Sequence, residues 1–121
     1  MPAGDQGLSP QTRITKRSQY LSLRQRSRRW QSENFLLLWR PNRMGFSRLG
    51  ITVTRRVGNA VVRNRIKRQV RERFRLHRAL RSRGLDMVLI AKHSAGRLSK
   101  AEMARELEQL FDRLAEHHPG A

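Results

Sequence analysis

Side chains able to move protons or hold metal are few in this 121-residue sequence, and their spacing does not favour catalysis. General acid–base chemistry calls for a pair of well-placed groups, most often histidines, and metal-assisted hydrolysis calls for clustered carboxylates. Of the four histidines, His77 falls on the apolar stripe of a predicted helix and reads as a packed side chain. His93 follows a predicted strand and reads as a loop residue, while His117 and His118 fall in a frayed C-terminal tail. Glu102, Glu106, Glu108, Asp112 and Glu116 share one amphipathic segment, where they form a solvated face. No phosphate-binding glycine loop, dinucleotide glycine pattern, His-Glu-x-x-His or nucleophile elbow is present. Cysteine is absent, so disulfides and thiolate metal sites are excluded. The chain is not expected to be a catalyst by itself.

The chemistry the sequence does offer is recognition of polyanions. Arg55–Arg75 reads RRVGNAVVRNRIKRQVRERFR, which sets a helix N-terminus beside a pair of arginines at a strand end. Unpaired backbone N–H groups at such a terminus already favour phosphate. Arg63, Arg65, Lys67, Arg68, Arg71, Arg73 and Arg75 then coat the helix, and seven cations this close repel one another unless a polyanion screens them.

The whole-chain charge agrees. Formal net charge is +18, and residues 13–83 hold 22 of the 27 Lys and Arg but only two acids, Glu33 and Glu72. Residues 84–121 are nearly balanced, with five bases against six acids. Arg far outnumbers Lys, and the planar guanidinium is the group that pairs bidentately with phosphate and stacks on bases. Nucleic acid is the expected partner, with an acidic membrane surface the competing reading. No apolar run approaches the ~20 residues that span a bilayer. Met1–Thr12 lacks the features of a secretory signal, so a cytoplasmic protein is expected.

These residues must be held by one modest domain, for which 37% hydrophobic residues suffice. Residues 1–12 read as a loose arm, 13–117 as the domain and 118–121 as a tail. A first helix is predicted over Thr15–Arg26, with Thr15 as N-cap and Tyr20, Leu21 and Leu23 as its apolar residues. A short strand over Arg28–Trp30 follows. Asn34–Arg40 is a strand apolar on both faces, with Phe35, Leu37 and Trp39 opposed to Leu36 and Leu38. Pro41–Gly45 supplies turn residues for a hairpin returning over Ser47–Thr54, whose alternation marks a half-exposed strand.

Asn59 is an N-cap, and a long helix runs from Ala60 towards Arg83, with Gly84 to end it. Val62, Ile66, Val70, Phe74 and His77 form its buried stripe, while Asn64, Arg68, Arg71 and Arg75 face away. Leu85–Lys92 reads as a buried strand. A last helix spans Lys100–His117, opened by a Ser99/Glu102 capping box, with Met103, Leu107, Leu110, Phe111 and Leu114 as its core. The order is α-β-β-β-α-β-α, an α+β fold around one sheet.

The central run Gly58-Asn59-Ala60-Val61-Val62-Arg63-Asn64-Arg65-Ile66-Lys67-Arg68 closely resembles the signature of the ribonuclease P protein family, Gly-Asn-Ala-Val-x-Arg-Asn-Arg-x-Lys-Arg. Thr54-Arg55-Arg56 before it resembles the family's hydroxyl-then-two-bases step. The Asp86–Lys92 strand and the spacing from Ile14 to Tyr20 and on to Phe35 are also similar, so the resemblance covers about residues 13–116. One departure lies in the first helix, where Leu23-Arg24 stands in place of the family's second aromatic.

The resemblance implies a four-stranded sheet with helices on one face and a left-handed crossover around the long helix, an arrangement shared with a ribosomal-protein domain. It implies that an RNA subunit does the chemistry with Mg²⁺, while the protein, a monomer bound 1:1, contacts both that catalytic RNA and the 5′ leader of precursor tRNA. Arg55, Arg56, Asn59, Arg63, Asn64, Arg65, Lys67, Arg68, Arg71 and Arg75 would meet the catalytic RNA. Tyr20, Leu36, Leu38, Thr52 and Thr54 would line the leader groove, where unstacked bases lie on apolar and aromatic surface. Membrane and DNA are not expected partners. The alternatives are a purely structural, ribosomal-type RNA binder and a DNA-binding regulator, the latter without a convincing helix-turn-helix pair.

Overall fold

A computed structural model describes residues 12–14, 17–25 and 27–117, apart from the side chains of Tyr20, Arg24 and Gln25. The proposed N-cap Thr15, most of the N-terminal arm and the 118–121 tail with His118 lie outside the described residues. The elements are α1 (Arg17–Gln25), β1 (Arg28–Gln31), β2 (Phe35–Pro41), β3 (Arg48–Thr52), α2 (Ala60–Leu76), α3 (Arg78–Arg81), β4 (Leu85–Ala91) and α4 (Lys100–Glu116). A 3-10 turn over His93–Arg97 joins β4 to α4.

The four strands lie in the order β1-β2-β4-β3, with β4 antiparallel to β2 and parallel to β3. The hairpin expected between β2 and β3 is therefore not one, because β4 lies between them. Leu85–Ala91 is apolar on both faces apart from Asp86 and takes the central place that such a strand requires. The 42–47 loop also bonds to the segment leading into β4. Asn42 N–H donates to the Gly84 carbonyl (2.7 Å), Ser47 N–H to that of Arg81 (2.7 Å), and Leu85 N–H to Ser47 Oγ (3.1 Å). Gly84 permits this entry by adopting a left-handed φ of 74°.

Phe35, Leu37 and Trp39 of β2, with Met87 and Leu89 of β4, face the main core under α2 and α4. The α2 stripe of Ile66, Val70 and Phe74 meets the α4 stripe of Met103, Leu107, Leu110, Phe111 and Leu114 there. The capping box of α4 forms as expected, with Glu102 N–H donating to Ser99 Oγ (3.1 Å) and Ser99 N–H to Glu102 Oε1 (2.8 Å).

The long helix does not run to Arg83. It breaks at His77, whose Nδ1 accepts from Leu80 N–H (3.2 Å) to start α3, leaving Nε2–H to donate to Asp112 (2.6 Å). The break carries Leu80 into the core, where it is fully buried. Truncating a side chain so enclosed typically costs about 2–5 kcal/mol.

The hand of the β3–α2–β4 crossover follows from one hydrogen bond. Leu49 sends its side chain into the helical core and its carbonyl to Ile14 N–H (3.0 Å), on the edge away from β4. In a strand of L residues seen from the side-chain side with the chain running upward, that residue's N–H and C=O point right. With α2 in front, β4 then lies to the left of β3, a left-handed crossover against the usual rule.

The expectation of helices on one face holds for α2, α3 and α4 but not for α1. Leu23 of α1 packs with Ile14, Leu38 and Val88 on the opposite face. Cross-strand register divides that face into three rows: Leu36–Ile90–Thr52, then Leu38–Val88–Gly50, then Arg40–Asp86–Arg48. Leu23 covers the middle row, leaving the first partly open.

The third row is ionic. Asp86 is only 3% exposed and accepts from Arg48 Nε (2.8 Å) and Nη2 (2.7 Å) and from Asn42 Nδ2 (2.8 Å). Burial raises the carboxyl's pKa, but the hydrogen bonds from Arg48 and Asn42 and the charges of Arg48 and Arg40 outweigh it, holding Asp86 below its ordinary value. A depressed folded pKa gives stability that is present above the unfolded pKa, about 4 for Asp, and lost as pH falls through the folded one. Asp86→Asn should therefore lower stability at pH 7 by about 3 kcal/mol, because two arginines lose their counter-charge. Thermal melts of both proteins from pH 7 to 2.5 should show the gap closing below about pH 4. A gap as wide at pH 2.5 as at 7 would rule out the carboxylate's charge as its source.

Candidate nucleic-acid interface

The N-terminus of α2 is built by the motif residues themselves. Asn59 Oδ1 accepts from Val62 N–H (3.0 Å), and Arg63 Nη1 donates to the Gly58 carbonyl (2.8 Å). A Cβ at Gly58 would sit 2.9 Å from Val62 Cγ1, so glycine lets the chain turn tightly into the helix. Gly58, Asn59 and Arg63 thus shape the corner before any ligand arrives. The first turn of α2 holds no acid, leaving the positive end of the helix dipole without a counter-charge beside exposed Arg55 and Arg56.

The cations divide along the helix. Arg55, Arg56, Asn64, Arg65 and Arg68 are exposed, and Lys67 and Arg71 are half-buried. Among the described residues none of these seven makes an ion pair or hydrogen bond through its side chain. Further along, Arg75 pairs with Glu72 (2.7 Å) and Arg73 with Glu108 of α4 (2.8 Å). The uncompensated charge therefore lies over the first three turns, whereas Arg75, predicted in the same set, is locally neutralised. Val61 stands in the middle of the patch with 76% of its surface exposed, an apolar contact that the sequence reading did not assign.

The other predicted surface lies across the sheet. Leu36 and Thr52 are half-buried on the open row, and Thr54 is exposed just beyond β3. Leu38 is 3% exposed beneath α1, so it supports that helix rather than lining open surface. Ile90 joins Leu36 and Thr52 in its place, half-buried between them in register. Its parity with Asp86 on β4 was the signal that could have found it. Tyr20 lies on α1, and its side chain is outside the described residues. Lys92, one step beyond the row, donates to Gln31 Oε1 and the Ser32 carbonyl, both at 2.8 Å.

The groups able to do acid–base or metal chemistry are dispersed. His117 packs edge-on against Trp30 and Trp39, and His77 is bound to Asp112. Glu106 accepts from Ser32 Oγ and from Asn34 N–H (2.8 Å) and Nδ2 (2.6 Å). Among the described residues no three of His, Cys, Asp or Glu come together as a metal site. No helix among them is long and apolar enough to cross a membrane.

A family model described as Ribonuclease P matches residues 8–115. The ribonuclease P protein component of Desulfatibacillum aliphaticivorans is 40% identical over 113 residues, spanning 93% of this chain and 96% of that protein. That of Syntrophus aciditrophicus is 41% identical over 104 residues, covering 86% and 87%. Among solved structures, the Staphylococcus aureus RNase P protein superposes with a TM-score of 0.77 at 28% identity, covering 87% of this chain and 95% of that one. The Thermotoga maritima RNase P protein gives 0.74 at 34% identity, covering 84% and 96%. A match over nearly the whole chain means that this chain belongs to the ribonuclease P protein family.

Proposed function

We propose that this chain joins two RNAs through opposite faces of one sheet, holding the catalytic RNA with α2 and the 5′ leader of precursor tRNA with the α1 side. As a ribonuclease P protein component it is the non-catalytic protein subunit of a tRNA-processing endoribonuclease, and its partner in that holoenzyme is RNA. The observation that carries the two-sided reading is the separation of its surfaces. The unpaired cations lie on α2, packed on one face, and the half-open Leu36–Ile90–Thr52 row lies on the other. A structural RNA binder would need only the first.

Phosphates of the catalytic RNA would meet Arg55, Arg56, Arg65, Lys67, Arg68 and Arg71 at the dipole end of α2. Leader bases would lie across Leu36, Ile90 and Thr52, against Tyr20 from α1, without sequence readout. One protein and one RNA would form the complex, in the cytoplasm. Divalent metal, Mg²⁺ by family resemblance, would be held by the RNA. Among the described residues no carboxylates cluster to hold it, and Asp86, Glu106, Asp112, Glu108 and Glu72 are already bound to neighbouring side chains.

Added to a bacterial ribonuclease P RNA at low Mg²⁺, the protein should promote cleavage at the mature 5′ end. Alone with Mg²⁺, it should leave precursor tRNA intact, and cleavage persisting after nuclease removal of co-purifying RNA would overturn the assignment. For the α2 surface, affinity for the catalytic RNA should fall with salt, each neutralised phosphate adding a slope of about −0.7 to −0.9. Arg65→Ala with Arg68→Ala should flatten that slope by about one to two units. An unchanged slope would place both side chains in solvent. For the other face, Tyr20→Ala should cost about 1–3 kcal/mol of precursor affinity, the scale of one base–aromatic stack, and leave mature tRNA binding and the melting temperature nearly unchanged. Equal losses for both tRNAs with a lowered melt would make Tyr20 a core residue instead.

A further inference from the structure

The ionic row beneath α1 does more than close the sheet. Arg40, Asp86 and Arg48 sit side by side on β2, β4 and β3, on the face that α1 covers. Arg48 approaches the carboxylate with two nitrogens and takes both oxygens, at 2.8 and 2.7 Å, while Asn42 adds a third bond. Arg40 is left 4.0 Å from Asp86, near enough to be held by its charge but outside hydrogen-bond range. Its Nη1 instead donates to Ser22 Oγ at 2.6 Å, on the residue next to buried Leu23.

α1 has nine residues, fewer than the ~12–15 an isolated helix needs, and no acid in its first turn to favour its dipole. Its position therefore depends on what it touches. Leu23 supplies an apolar contact, which tolerates sliding, whereas a short hydrogen bond from a guanidinium fixes direction.

We infer that Arg40 is a positioning residue for the leader surface: oriented by the Asp86–Arg48 pair, it fixes α1 through Ser22 and so sets the opening between α1 and the Leu36–Ile90–Thr52 row. The ionic row lies four residues along β2 from Leu36, about 13 Å, so Arg40 acts without meeting leader bases on that row. This inference rests on the α1 side being the leader surface.

The test measures precursor and mature tRNA affinities for the protein assembled with a bacterial ribonuclease P RNA, over a series of leader lengths. Ser22→Ala, Arg40→Ala, Arg40→Lys and the Ser22→Ala/Arg40→Ala double variant are compared with the unmodified protein. Each alanine variant should reduce the preference for precursor over mature tRNA by about three- to tenfold, the scale of one net hydrogen bond. The double variant should lose no more than either single, because both remove the same contact. Arg40→Lys should recover part of the preference, and mature tRNA affinity should not move. A loss for Arg40→Ala with Ser22→Ala silent would make Arg40 a direct RNA contact and overturn the inference. So would an equal loss of precursor and mature binding, which marks a merely structural role. If the unmodified protein prefers precursor and neither variant changes that, the inference alone fails. If the unmodified protein shows no preference at any leader length, the leader reading itself fails and the inference falls with it.

Discussion

Because Leu85–Ala91 is apolar on both faces apart from Asp86, β4 lies inside the sheet with cover above and below. Seven residues pair with β2 and five with β3, and every strand position but Ile90 is buried. The main core forms on one side of it and the small Ile14–Leu23–Leu38–Val88 cluster on the other. A sheet covered on both faces thus follows from one strand's composition. The helix rich in arginine is confined to the first face, and the second is left for a short helix that covers it incompletely.

The distribution of acids decides which cations remain available. Among the described residues, the carboxylates that pair with arginines meet none in the N-terminal half of α2. Asp86 takes Arg48 under α1, and Glu72 and Glu108 take Arg75 and Arg73 where α2 meets its own last turns and α4. What stays uncompensated coincides with the end of the helix whose backbone also carries partial positive charge. Mutual repulsion there disfavours the isolated protein, and a bound polyanion relieves it.

Much of this was legible in the sequence because the signals were local. The Asn59 cap, the Ser99/Glu102 box, the α4 stripe and the two-faced β2 are set by residue spacing and appear where expected. The errors involved information that spacing does not hold. A turn-rich 41–45 segment suits a hairpin, and nothing within it reveals that Asn42 bonds to Gly84 instead. The periodicity of α2 continues through His77, so the break depends on a ring nitrogen that caps Leu80 and on Asp112, 35 residues away in sequence. Leu38 is buried and Ile90 is left partly open because alternation gives the face of a residue but not where along that face α1 will sit. Arg40 and Ser22, 18 residues apart, carried no pattern at all.

The strand order also constrains how the molecule can be assembled. β2 and β3 are made before β4, yet they touch each other only through it. As the chain emerges from its N-terminus, β1 and β2 can pair as a hairpin, but β3 has only its single bridge to Arg13 until residues 85–91 have followed α2. Parallel pairing across so long a connection is slow, because its loop entropy is lost before the contacts form. During that interval β2 presents an unpaired apolar edge, and the sheet closes by inserting its last strand into its middle.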